Sequence, residues 1–89
     1  MTNAYHFETV EVGDKVAKLS PTDTPETAFI TCERDCRYRF DGGEPTAVTG
    51  HLLRDGQSIT LVDKRNIYQF RAISVEVAPA TLSVTYERT

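Results

Sequence analysis

With 89 residues and 39% hydrophobic content, the chain can build one domain around one small core, and a second folding unit is excluded. The formal charge of −3, spread as interspersed acids and bases, argues against a phosphate-backbone binder, which would carry a basic stripe. Arg34, Arg37 and Arg39 do cluster, but Glu33, Asp35 and Asp41 stand among them, which is the pattern of a solvated strand face. The opening Met-Thr-Asn-Ala-Tyr-His has neither a basic region nor an apolar run, so no signal peptide is read there. No apolar stretch approaches the length of a bilayer span. The expectation is a chain made and assembled in a cytoplasm, with no nucleic-acid and no membrane partner.

Residues 1–4 read as a loose polar terminus. Over residues 5–12 the alternation Tyr5, Phe7 gives way to Val10, Val12, a change of phase that predicts a bulge within one strand. Gly13-Asp14 is a turn, and residues 15–19 form a short second strand that either closes a hairpin or pairs with a distant partner. Residues 20–25 (SPTDTP) place two prolines among hydroxyls and an aspartate, a loop suited to crossing between two sheets.

Residues 27–32 then alternate, with Ala28, Ile30 and Cys32 on one face. A three-residue loop, Glu33-Arg34-Asp35, leads to a return strand starting at Cys36. The hairpin register pairs Cys32 with Cys36, Ile30 with Tyr38 and Ala28 with Phe40, all six on one face. A slip of one residue would bury Arg37 and Arg39 instead.

Residues 37–53 (RYRFDGGEPTAVTGHLL) are the stretch around which the rest is organised. Asp41-Gly42-Gly43 stops the strand with residues that tolerate positive φ, and Asp41 is expected to hold the turn by accepting backbone N–H bonds. Pro45 has no N–H for a ladder, so the chain leaves the sheet there. Thr46, Thr49 and Gly50 carry a polar excursion before Leu52 and Leu53. Arg54-Asp55-Gly56 is a tight turn, and residues 57–62 alternate with Ile59 and Leu61 inward.

Asp63-Lys64-Arg65-Asn66 reads as a polar connection, and residues 67–77 as the longest strand, buried on both sides or bulged near Arg71. Pro79 ends it. The closing hairpin pairs Val77 with Leu82, Val75 with Val84 and Ile73 with Tyr86. The sum is a single antiparallel β-sandwich over residues 1–89, Ig-like or jelly-roll-like, with seven or eight strands and no helical period. Its expected core includes Ile30, Tyr38, Phe40, Ile59, Leu61, Ile73, Val75, Val84 and Tyr86.

No catalytic set, cofactor site or metal site is read. Asp41-Gly42-Gly43-Glu44 offers two carboxylates where calcium wants six or more oxygens. Cys32 and Cys36 lack further ligands at metal spacing, since His6 and His51 are the only histidines; they read as paired, reduced structural thiols. Ser20, Ser58, Ser74 and Ser83 sit in no nucleophile elbow. His51 near Asp55 reads as a rim histidine. Tyr5 and Tyr68 are candidates for a sugar-stacking platform, an interface anchor or plain core packing.

Arg37-Tyr38-Arg39, Asp41-Gly42, Pro45-Thr46, Gly50, Leu53, Gly56, Ile59 and Leu61 follow a pattern, RYR-x-DG-x-x-PT followed by spaced Gly and Leu. With the closing Leu82, Val84, Tyr86 strand, it resembles small β-sandwich proteins encoded by tailed bacteriophages and prophages. The likeness covers residues 26–88. It implies a non-enzymatic virion structural protein, a capsid decoration or cement protein bound to the major capsid protein or another virion protein. A tail or neck component is the variant within that class. The central motif alone also resembles Ig-like modules appended to chitobiase and β-hexosaminidase-type enzymes, where it is a structural turn within an accessory domain; the competing expectation is a carbohydrate-binding Ig-like module that takes host glycans through exposed tyrosines. Exposed sheet edges invite pairing with further copies, so a symmetric oligomer is expected, trimer ahead of dimer. Residues 1–12 are an edge or exchanged arm, and Tyr5, Phe7, Val10, Val12 and Tyr68 are the expected interface.

Overall fold

The structure is a computed structural model and describes residues 3–89. Eight strands and one short helix follow in order: β1 Asn3–Val12, β2 Ala17–Lys18, β3 Thr27–Glu33, β4 Cys36–Arg39, β5 His51–Leu53, β6 Ser58–Val62, α1 Lys64–Tyr68, β7 Arg71–Ser74 and β8 Ala80–Arg88. They form two antiparallel four-stranded sheets, the first ordered β1-β8-β3-β6 and the second β2-β7-β4-β5. Strand one therefore lies beside eight, two beside seven, three beside six and four beside five. A long hairpin rolled onto itself gives this order, so the sandwich is an eight-stranded jelly roll.

Among the described residues, strands β4 and β5 are the only consecutive pair in one sheet, and the other connections cross the sandwich. The motif segment 37–53 is thus the tip of the roll. The proline-rich 20–25 segment makes the expected crossing, from β2 in the second sheet to β3 in the first. The expected phase change in β1 is a bulge at Tyr5: Ala4 faces Glu87 and His6 faces Tyr86, leaving Tyr5 as the extra residue. Of the expected polar terminus, residues 1–2 lie outside the described residues, whereas Asn3 and Ala4 belong to β1.

In the first sheet β3, β6 and β8 keep the alternation. Ala28, Ile30 and Cys32 on β3, Ala80, Leu82, Val84 and Tyr86 on β8, and Val12 and Leu61 all bury inward. From the second sheet come Cys36, Leu53 and Ala72, joined by Leu19, Ile67 and Phe70 from the connections. Each such large side chain contributes roughly 1.5–3 kcal/mol through burial.

Both hairpin registers expected from the sequence are overturned. Strand β3 pairs with β6 and β8, with Ile30 opposite Ile59 and Val84; β4 pairs with β5 and β7. The 33–35 and 75–79 segments are arches between sheets. An arch and a hairpin turn the same apolar face to the core, so alternation does not tell them apart. Residues 67–77 are not one strand either. Asp63 caps a helix by accepting the Arg65 N–H at 3.1 Å, which places Ile67 in the core one turn before Phe70. The chain then bends at 75–78, and the Ser74 hydroxyl holds that bend from 3.1 and 3.0 Å to the Glu76 and Ala78 carbonyls. Three expected core residues are therefore displaced: Phe40 is 36% exposed, Ile73 points outward, and Val75 sits in the bend, half-buried.

Candidate functional site

The RYR-x-DG motif assembles from β4 and the loop beyond it. Arg39 grips Asp41 with two hydrogen bonds, Nε to Oδ1 at 3.1 Å and Nη2 to Oδ2 at 2.7 Å. Asp41 Oδ1 also accepts the Gly43 N–H at 3.1 Å. The Arg39 guanidinium beside it holds the Asp41 carboxyl down at about 2. Gly42 takes φ +88°, and a Cβ on Gly43 would sit 2.5 Å from the Arg39 guanidinium.

Pro45 is buried, Thr46 and Thr49 form a one-pair bridge, and Thr46 Oγ1 accepts the Val48 N–H at 3.3 Å. Arg37 closes the loop from below, donating from Nε to the Ala47 carbonyl at 3.2 Å and from Nη1 to the Gly50 carbonyl at 2.9 Å. Arg37, Arg39, Asp41 and Thr46 thus spend their polar groups on folding this loop, and Gly42, Gly43, Pro45 and Gly50 shape its backbone. The motif is architecture, and its charges are committed to one another and to backbone carbonyls.

The outer faces of the two sheets are the larger candidate. Across the first sheet the registers line up Phe7–Thr85–Phe29–Thr60 in one row and Thr9–Ser83–Thr31–Ser58 in the next. Phe7 is 58% exposed and Phe29 45%, and exposed Val62 ends the row on the α1 side, which also holds Thr27 and Glu87. The first two rows hold no charged residue; Glu11 and Glu33 flank Thr81 in the row beyond. At the α1 end, Val62 opens onto a groove of about 380 Å³ lined also by Thr24, Pro25, Glu26, Asp63 and Lys64. Hydroxyl-rich and bearing two partly exposed aromatic rings, the face suits contact with another ordered surface.

The second sheet presents the opposite chemistry. Lys18, Arg71 and Arg39 stand opposite one another across β2, β7 and β4, with Arg37 and Ile73 in the next row. Arg71 Nη1 donates to the Tyr68 and Phe70 carbonyls at 3.0 and 2.8 Å. This row was missed from the sequence because it exists only once β2 and β7 are paired.

The five expected interface residues do not converge. Phe7 lies on the first sheet's outer face and Tyr68 is exposed on α1. Val12 is fully buried in the core, which removes it from any surface, and Val10 packs against that core. Tyr5 is tied down: its hydroxyl donates to the Thr22 and Asp23 carbonyls, and the Arg88 guanidinium lies 4.5 Å over its ring. Burial pushes its hydroxyl pKa up. It is therefore no open stacking platform. Phe29 and Val62 belong to the site and were missed, although the alternation that turns Ala28 and Ile30 inward turns Phe29 outward.

The remaining polar groups serve the core. Tyr86, its pKa raised by burial and then by the bond it donates to the Glu8 carboxylate, anchors that inward-pointing acid, which also accepts the Ser20 N–H at 3.0 Å. His51 stacks near Tyr38 and Phe40, with ring centroids 5.3 and 6.0 Å away. Arg39, Phe40, Asp41 and His51 line a cleft of about 100 Å³ there. Among the described residues no three or more His, Cys, Asp or Glu side chains converge on a metal position, and no helix is long and apolar enough to cross a membrane. No protein-family model matches the chain, and neither a curated protein nor a solved structure matches it significantly.

Proposed function

We propose that the chain is a non-enzymatic structural protein of a bacteriophage virion, a decoration or cement protein that docks on the assembled head through the outer face of its first sheet. The observation that carries this reading is the uncharged double row containing Phe7 and Phe29, which lies open on a four-stranded sheet. The likeness of the 37–53 motif to small phage β-sandwich proteins supports the virion setting. Jelly rolls recur in viral capsid and lectin domains, which agrees with it, though an architecture alone specifies no activity. The partner is the major capsid protein, and docking occurs in copies matched to capsid symmetry, as trimers ahead of dimers. The ten-residue edge strand β1 is available for contacts between copies.

The test is copurification. Heads assembled with the chain should carry it in fixed stoichiometric copy number, and a Phe7→Ser, Phe29→Ser double variant should be lost from them. Absence of the wild-type chain from purified heads overturns the head assignment; recovery with tails or necks moves it within the virion class. Sedimentation across concentrations addresses the oligomer, and a compact monomer at micromolar concentration rejects it. A second reading, a carbohydrate-binding module, is favoured by the cleft where exposed Phe40 meets His51, Arg39 and Asp41. Glycan-array binding that Phe40→Ser abolishes would select it.

A further inference from the structure

We propose that Cys32 and Cys36 are a site of covalent modification, a reversible disulfide that staples the two sheets together where the chain arches from β3 to β4. The two sulfurs belong to different sheets, yet lie 3.5 Å apart, both as free thiols and both fully buried. A disulfide needs about 2.0 Å, so the sulfurs must approach by roughly 1.5 Å, within reach of small side-chain rotations.

The approach is held by the backbone and does not depend on the thiols themselves. Cys32 N–H donates to the Gln57 carbonyl at 3.0 Å, and the Cys32 carbonyl accepts the Gly56 N–H at 2.8 Å. Beyond it the arch is locked to the β5–β6 turn by a reciprocal pair: Arg34 N–H donates to Asp55 Oδ1 at 3.0 Å and Asp55 N–H to Asp35 Oδ1 at 2.8 Å. Cys36 is fixed in turn by its places opposite Leu53 and Ser74. Preorganisation of this kind gives one thiol a high effective concentration at the other.

The two sulfurs are also unequal. Cys32 Sγ donates to the Arg34 carbonyl at 2.7 Å, which leaves Cys36 to donate in the contact between the sulfurs. That bond favours ionisation of Cys32 and opposes that of Cys36, whose burial adds to the effect. Cys32 is therefore the first nucleophile. The co-reactant is a low-molecular-weight disulfide, which reaches Cys32 when local unfolding releases the Arg34–Asp55 and Asp55–Asp35 bonds of the arch. The Cys32 thiolate attacks one of its sulfurs, forming a mixed disulfide and expelling one small thiolate. Cys36, on losing its proton, attacks Cys32 Sγ and expels the second. Two protein thiols and one small disulfide become one protein disulfide and two small thiols. The proposal is independent of the virion reading. Where both hold, a chain folded with reduced thiols closes the bond once the particle meets an oxidising medium.

The experiment is equilibration of the full chain in reduced and oxidised glutathione, with and without urea, followed by acid quench, thiol alkylation and intact mass. Refolding from urea into each buffer removes any barrier from burial. At equal glutathione ratio the intramolecular disulfide should be favoured about tenfold or more in the folded chain over the unfolded one. By linkage, the oxidised protein should melt several degrees above the reduced. Cys36→Ser should stop at the mixed disulfide, and a Cys32→Ser, Cys36→Ser double variant should show that the fold does not need the thiols. A folded chain that forms the disulfide no more readily than the unfolded one, or gives only mixed or intermolecular disulfides, overturns the proposal.

Discussion

The two sheets reach the same layered packing by different means. The first has strands of ten, nine, seven and five residues, long enough for ladders and alternation to define it. The second has strands of two, four, four and three residues, too short to define themselves. Its geometry is set instead by arginines reaching loop carbonyls, Arg37 toward Ala47 and Gly50, and Arg71 toward Tyr68 and Phe70. Those contacts also offset the repulsion expected from like charges set opposite one another at Lys18, Arg71 and Arg39. The lesson is that a long strand carries its information in periodicity, whereas a short one carries it in side chains that leave the sheet.

The most forceful way to break this comparison is to remove matching atoms from each sheet. Ile30, fully buried at the centre of the first sheet, should cost about 2–4 kcal/mol on truncation to alanine. Ile73 lies on the outer face of the second, half-buried, and the same truncation should cost less than about 1 kcal/mol. Urea unfolding of both variants measures the difference. Equal losses would mean that Ile73 faces the core and that the second sheet is inverted.

That asymmetry also explains what was legible in the sequence. Ile30, Leu61, Val84 and Tyr86 were expected in the core and are buried there, because β3, β6 and β8 alternate over at least five residues. Tyr38 and Ile59 pack against the core from its margin. Ile73 and Val75 were misplaced because β7 spans four residues and its alternation was read through a helix and a bend. The hairpin registers failed for a topological reason: residues that face one another across the core satisfy the same pattern as residues paired in a ladder. The turn at Asp41-Gly42 was legible from local chemistry alone. The outer face proposed for docking needed long-range pairing, since Phe7, Thr85 and Phe29 are far apart in sequence and adjacent only on the sheet.

A smaller effect sharpens the claim that arginines define the second sheet. Arg37→Met keeps most of the aliphatic stem and removes the donors to Ala47 and Gly50. With partial exposure considered, the loss should be roughly 1–2 kcal/mol. Hydrogen exchange should accelerate in the 46–50 loop and in β5, while β3 and β8 keep their protection. Uniform acceleration across both sheets would remove the distinction.

Asp41 gives a pH-dependent test of the same kind. Its folded pKa, about 2, lies below the ordinary value of 3.8, so its contribution is present above 3.8 and is lost as pH falls through 2. Wild type and Asp41→Asn should therefore differ in melting temperature near neutrality and converge in that acid window. Gly43→Ala pushes the Arg39 guanidinium off Asp41 and should shrink the same pH-dependent difference, despite leaving both charged groups in the chain. A difference that persists unchanged below pH 2 would assign the effect to something other than the carboxylate.

The smallest effect on folding is expected where the proposed function predicts its largest effect. Phe7 and Phe29 flank Thr85 on the first sheet's outer face, and each ring is about half exposed to solvent. Replacing either with serine removes only the covered half of one ring, and each change should cost about 1 kcal/mol or less. Threonine is the better control at the same positions, because its branched carbon suits a strand and it extends the neighbouring hydroxyl rows. A docking face predicts that both substitutions leave the melting curve nearly in place while abolishing attachment to heads. If serine destabilises the chain by several kcal/mol and threonine restores it, the rings are acting as strand formers. The first sheet's outer face would then be as structural as the motif loop.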